Sequence, residues 1–169
     1  MATLRAVATR SWPEEVERVA AYLRESGAES RIEEFSAGTP TAEDAAKAVG
    51  CELAQIVKSL VFDCDGRLIL VLVPGDRRAD RAKVAVAAGC SKARIAGAEQ
   101  VRTATGFDPG AVAPFPVKQV EAVFLDRSLL GHQLVWIGAG STRHMAALAP
   151  TELMRLSRAE PMDAVEPHT

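Results

Sequence analysis

Two apolar runs rich in β-branched residues, Val57 to Cys64 and Leu68 to Val73, flank Asp65-Gly66. Asp-Gly supplies the backbone freedom that a tight hairpin turn needs, so the runs predict an antiparallel pair of strands. Neither run alternates polar with apolar. Both therefore predict strands covered on both faces, at the centre of a fold and not on its rim. With 169 residues the chain suits one domain over residues 1–169, with a core from about 12 to 162.

The remaining elements mix helices with strands around this hairpin. Ser11 is read as an N-cap, with Pro13, Glu14 and Glu15 in the first turn of a helix that Gly27 ends. A short strand is expected near Arg31 to Phe35. Thr41 caps a helix that runs to Val49 and stops at Gly50, and a short helical turn lies near Glu52 to Ala54. Helices follow over Ala79 to Ala88 and Ala98 to Ala104. Strands follow over Val120 to Leu125, Leu134 to Ile137 and His144 to Leu148. Gly138 to Thr142 reads as a turn, Pro150 opens the last helix, and the tail from Pro161 is expected to be partly ordered. This order predicts an α+β fold with a mixed sheet, not a doubly wound parallel one.

Composition narrows the function classes. Hydrophobic residues make up 48% and charged residues 25%, an ordinary globular balance. The net charge of −2 offers no global field for nucleic acid, so an RNA contact needs a local basic patch. No segment approaches the roughly 20 apolar residues of a spanning helix. Arg5 and Arg10 interrupt the N-terminus, which does not read as a secretory signal, and a cytoplasmic location is expected. Cys51, Cys64 and Cys90 are odd in number and far apart. They are expected to be reduced, packed thiols with no metal site.

Familiar catalytic motifs are absent. Gly138-Ala139-Gly140 lacks the third glycine of a dinucleotide fingerprint, no phosphate-binding Gly-Lys-Ser/Thr loop exists, and Ser141 is not framed as Gly-x-Ser-x-Gly. His132, His144 and His168 match no metal spacing, and His144 reads first as a packed histidine. No nucleophile with a base beside it is visible.

Four features remain. Lys58 interrupts Ile56-Val57-Lys58-Ser59-Leu60-Val61-Phe62 and would share a strand face with Leu60 and Phe62. It either snorkels to water or stands as a positioned cation at a pocket wall. The loop from Gly106 to Pro116 contains Gly110, which permits close backbone approach, and prolines that stiffen it. The amides of residues 110 to 113 are candidate fixed donors. Gly138 to Ser141 is small enough to admit a ligand. Arg77, Arg78, Arg81, Lys83, Lys92 and Arg94 could hold RNA, although the interleaved Asp76 and Asp80 favour a solvated helix face.

The strand lysine, the Gly-x-x-x-Pro loop Gly110-Ala111-Val112-Ala113-Pro114 and the late turn Gly138-Ala139-Gly140-Ser141 occur in an order that resembles the YbaK/prolyl-tRNA synthetase-associated editing domain family. The similarity runs roughly from Trp12 to Met162. It implies a mixed sheet or partial barrel flanked by helices, and hydrolysis in trans of the ester bond of a mischarged aminoacyl-tRNA, that for proline foremost. It implies no cofactor and no metal. The implied partner is the aminoacyl-tRNA acceptor end, with prolyl-tRNA synthetase open as a second partner. By position, Lys58 matches the family's required lysine. Gly110, Ala111, Val112, Ala113 and Pro114 match the loop that holds the aminoacyl end, and Gly138, Gly140 and Ser141 match the opposite wall, with Ser141 and His144 bearing on substrate choice. The alternative within the same fold is a non-catalytic module that binds tRNA or a synthetase.

Overall fold

The structure, a computed structural model, describes residues 12–168. Helix α1 spans Glu14–Glu25, with Pro13 at the N-cap position and Glu14, Glu15 and Glu17 in its first turn. Ser11, expected as the cap, lies outside the described residues. Strand β1 spans Ile32–Glu34 and helix α2 spans Ala42–Val49. Thr41 caps α2 by accepting the Asp44 N–H, and left-handed Gly50 ends it. A 3-10 turn over Leu53–Gln55 leads into strand β2, Val57–Cys64, which turns through Asp65 and Gly66, both at positive φ, into β3, Arg67–Pro74. The Asp-Gly signal thus works as the sequence implied.

Helix α3 spans Arg81–Ala88, strand β4 Ala93–Ile95 and helix α4 Ala98–Thr105. Strand β5 spans Ala122–Asp126, and a 3-10 turn covers Arg127–Gly131. Strands β6, Val135–Ser141, and β7, His144–Leu148, form a second hairpin before helix α5, Pro150–Ser157, and strand β8, Glu160–Met162. Five strands form one mixed sheet in the order β4-β2-β3-β5-β8, antiparallel at β4, β2 and β3 and parallel at β5 and β8. Three form an antiparallel sheet in the order β1-β7-β6. One parallel bridge, Ile56 to Trp136, joins the sheets, and no closed barrel results.

The hairpin is apolar on both sides because both sides are covered. Val57 and Val61 of β2, with Leu70 and Leu72 of β3, pack against Val19, Leu23, Ala104, Ile137 and Leu153. On the opposite face Phe62, Cys64, Ile69, Val71 and Val73 pack against Val84 and Ala85 of α3 and against Ala164 and Val165. The expectation of full cover holds for β3 beyond its first turn. It fails at Lys58, Ser59, Leu60 and Asp63 of β2, which are only half-buried.

Three expectations need correction. Cys64 and Cys90 are joined in a disulfide, their Cα atoms 5.7 Å apart; Cys51 is the free cysteine among the described residues. An odd count and wide spacing hid a pair that the β2–α3 packing brings together. Gly138 to Ser141 is not a turn but the bulged end of β6, with Gly140 at φ +101°. Beyond Pro161, Ala164 and Val165 are buried in the core, and the Ala164 N–H donates to the Asp126 carboxylate at 2.7 Å.

Candidate functional site

A groove of about 270 Å³ opens where the two sheets meet. Its walls come from three separate segments: Val57 to Leu60 of β2, Gly110 to Val112, and Gly138, Ser141 and Met145 of the second hairpin. A fourth wall, Thr39 to Ala42 with Ala45, comes from the entry to α2. The sequence reading did not assign this wall. Its signal was the Thr-Pro-Thr run ahead of a capped helix, which fixes the chain direction without showing what it faces. Hydrogen bonds to the β6–β7 turn hold the wall: the Phe35 N–H donates to the Arg143 carbonyl at 2.7 Å and the Thr39 N–H to that of Thr142 at 2.5 Å.

Lys58 stands on the rim. Its Nζ donates to the Arg77 carbonyl at 2.6 Å. Burial pushes its pKa down; Glu43 and Asp76 pull it back up, and Arg78 pushes it down again. An ammonium has three donors, so one carbonyl leaves further donor capacity for a ligand.

Strand β2 pairs with β3 throughout but with β4 only over Phe62 to Cys64. The Val61 carbonyl accepts from Ala96 on the β4 side. Main-chain groups alternate sides along a strand, so those of Ser59 point the same way, into the groove. Among the described residues the groove wall at Ser59 is therefore an unpaired strand edge with a fixed donor and acceptor.

The loop opposite is shaped by Gly110 at φ +83°, a conformation that L side chains rarely adopt. Of the amides expected as donors, that of Ala111 is spent on the Asp108 carbonyl at 2.9 Å. Ala113 and Pro114 are buried beneath the loop and do not line the groove. The Val112 carbonyl lies against Gly138, where an added Cβ would stand 3.2 Å from its oxygen. Gly140 does not line the groove either; its Cα faces the start of α1, and a Cβ there would meet the Glu15 carbonyl oxygen at 2.8 Å. From the same helix, Arg18 donates to the Gly106 carbonyl at the root of the loop. Helix α1 thus braces both walls.

Ser141 and His144 form a pair that no sequence motif announced. The Ser141 hydroxyl lies 2.5 Å from His144 Nδ1 and accepts the Arg143 N–H at 2.9 Å. His144 itself is 4% exposed and stands edge-on to Trp12, so it reaches the groove only through Ser141. The bulge between Gly138 and Ser141 folds the strand so that the two side chains meet. Among the described residues, no group of three or more His, Cys, Asp or Glu side chains is placed to hold a metal.

A family model for the aminoacyl-tRNA editing domain matches residues 36–156. The chain belongs to that family. It is 35% identical over 130 residues to the uncharacterized protein YwhH of Bacillus subtilis, covering 76% of this chain and 82% of that one. It is 35% identical over 100 residues to the proline–tRNA ligase of Maridesulfovibrio salexigens, covering 59% of this chain and only 17% of the ligase. The crystal structure of a candidate trans-editing enzyme for prolyl tRNA synthetase superposes with a TM-score of 0.86 at 37% identity, covering 93% of this chain and all of that one. Among the described residues, no helix is long and apolar enough to cross a membrane.

Proposed function

We propose that this editing domain hydrolyses the ester bond of mischarged aminoacyl-tRNA in trans, with Lys58 as the cation that positions the acceptor end. The observation that carries the reading is the convergence of Lys58, Gly110 to Val112, Gly138 and Ser141 on one groove. Those segments are more than twenty residues apart along the chain, and packing gives no reason for a lysine, an unpaired strand edge and a glycine corner to meet.

An aminoacyl ester is already activated, so hydrolysis needs a placed water, a proton path and help for the developing oxyanion. The water oxygen forms a bond to the acyl carbon, the bond to the ribose oxygen breaks, and a proton passes from water to that oxygen. The neighbouring ribose hydroxyl is suited to relay it. Lys58 and the Ser59 N–H supply positive charge and a fixed donor on one wall. Positioning of this kind can substitute for a protein nucleophile. The Ser141 hydroxyl, tethered by His144, sets the polarity at the far wall, and with Val112 and Gly138 it limits the space for the amino-acid side chain. The substrate reading thus favours small residues, and tRNA for proline is the first candidate because proline–tRNA ligases carry related sequence.

The test is deacylation of tRNA mischarged with alanine, cysteine, serine or threonine. Wild type is expected to hydrolyse at least one, and Lys58→Ala to lose roughly a hundredfold or more in kcat/KM. No turnover of any panel member by wild type would leave the enzyme reading without support; full activity of Lys58→Ala would remove the role given to that lysine.

A further inference from the structure

We propose that a second groove, on the far side of Lys58, carries the unpaired RNA strand leading to the aminoacylated end, with Arg78 and Arg81 as its phosphate contacts. The deacylase reading supplies only the identity of the strand; the fit to a single-stranded polyanion rests on the surface itself. This groove is bordered by Lys58, Leu60, Arg78, Arg81, Ile95 and Glu166. It shares Lys58 and Leu60 with the first groove, so the two grooves adjoin at those side chains.

The basic run noticed in the sequence divides here into spent and unspent charges. Lys83 donates to the Asp163 carboxylate and the Val165 carbonyl, both at 2.8 Å. Arg77 is held by the Glu166 carbonyl and by His168. Both side chains fasten the C-terminal segment. Arg78 and Arg81 are exposed, and among the described residues neither guanidinium has a hydrogen bond or ion pair. The nearby acids do not cancel them. The Asp80 carboxylate is occupied by the N–H groups of Ala82 and Lys83 at the start of α3. Asp76 acts on Lys58, and Asp80 and Glu166 are the acids that line the groove. The three cations Lys58, Arg78 and Arg81 outnumber those two acids.

The floor suits a nucleotide as well. Ile95 is 54% exposed, unusual for isoleucine, and lies beside half-buried Leu60. An apolar strip flanked by cations matches a base or ribose with its phosphates alongside. A folded protein partner would need a larger apolar face, and a duplex would not enter a groove of about 480 Å³.

The experiment measures binding of an uncharged acceptor-stem RNA with its single-stranded 3′ end across a salt series. Wild type is compared with Arg78→Ala/Arg81→Ala, with the single Arg78→Gln and Arg81→Gln variants, and with a charge-matched control, Arg24→Ala/Arg31→Ala. The double variant is expected to lose about 1.4 from the slope of log K against log salt, and each single variant about 0.7. The control is expected to match wild type. A wild-type slope in the double variant, or an equal loss in the control, overturns the proposal. A second arm compares mischarged tRNA with a mischarged aminoacyl-adenosine: the double variant should raise KM for the tRNA roughly tenfold more than for the short ester. If wild type deacylates neither substrate, the enzyme reading fails while the binding arm still decides the groove.

Discussion

Burial lowers the pKa of the Lys58 ammonium, and Glu43 and Asp76 only partly restore it. The folded state therefore binds this proton less tightly than the unfolded chain does. Between the depressed folded value and the ordinary lysine value, the unfolded state holds more protons, so the contribution of Lys58 to stability rises with pH through that window. At neutral pH the charged lysine is a cost to the fold. NMR titration of Lys58 should give a midpoint below those of the exposed lysines, and Lys58→Ala should keep its Tm within about 4 °C of wild type while losing turnover. The two glycines of β6 separate the same way. Gly138→Ala pushes a methyl toward the Val112 carbonyl without backbone strain. It should cost under about 1 kcal/mol in denaturant unfolding yet lower kcat/KM roughly tenfold or more. Gly140→Ala meets positive φ and the Glu15 carbonyl together and should cost about 2 kcal/mol or more. The sequence placed both glycines on one wall because both are small. Only the conformation shows that one faces the groove and the other a helix.

At the scale of elements, the central hairpin, the capped α2 and the Pro-led α5 were legible because each is written in local chemistry: a turn pair, a cap, a helix-starting proline. What the sequence hid depends on contact across the chain. Strand β8 is three residues long and pairs in parallel with a strand far back in sequence, so no local signal marks it. The end of β6 looked like a turn because its glycines are there for close approach and a bulge. The Cys64–Cys90 bond closes a loop with a sequence separation of 26 and ties the end of β2 to the end of α3. Loop-closure entropy of that size is worth about 3 kcal/mol, so reduction should lower unfolding stability by about that amount in paired denaturant titrations with and without reductant. A Cys90→Ser variant should show the same stability under both conditions.

Over the whole molecule, the family match ends at residue 156, yet the core does not. Strand β8 completes the five-stranded sheet, Ala164 and Val165 fill the face against α3, and Asp126 is satisfied by the Ala164 N–H. Truncation after Ala159 removes all three and should destabilise the protein by about 3 kcal/mol or more, read by chemical unfolding. Of the candidate groove, the resemblance named Lys58, Gly110 to Val112, Gly138 and Ser141 but not how they meet; the α2 wall and the Ser141–His144 pair exist only once the sheets meet. That meeting also gives the groove a scale. The edge of β2 is occupied at Ile56 by Trp136 and again from Val61, whose carbonyl accepts from Ala96, which leaves residues 57 to 60 unpaired among the described residues. At about 3.3 Å per residue that gap measures roughly 13 Å. The sheet has two stops and a graduated edge between them, so it can act as a ruler, long enough for an amino acid and the sugar that bears it and too short for a strand to zip in along its length.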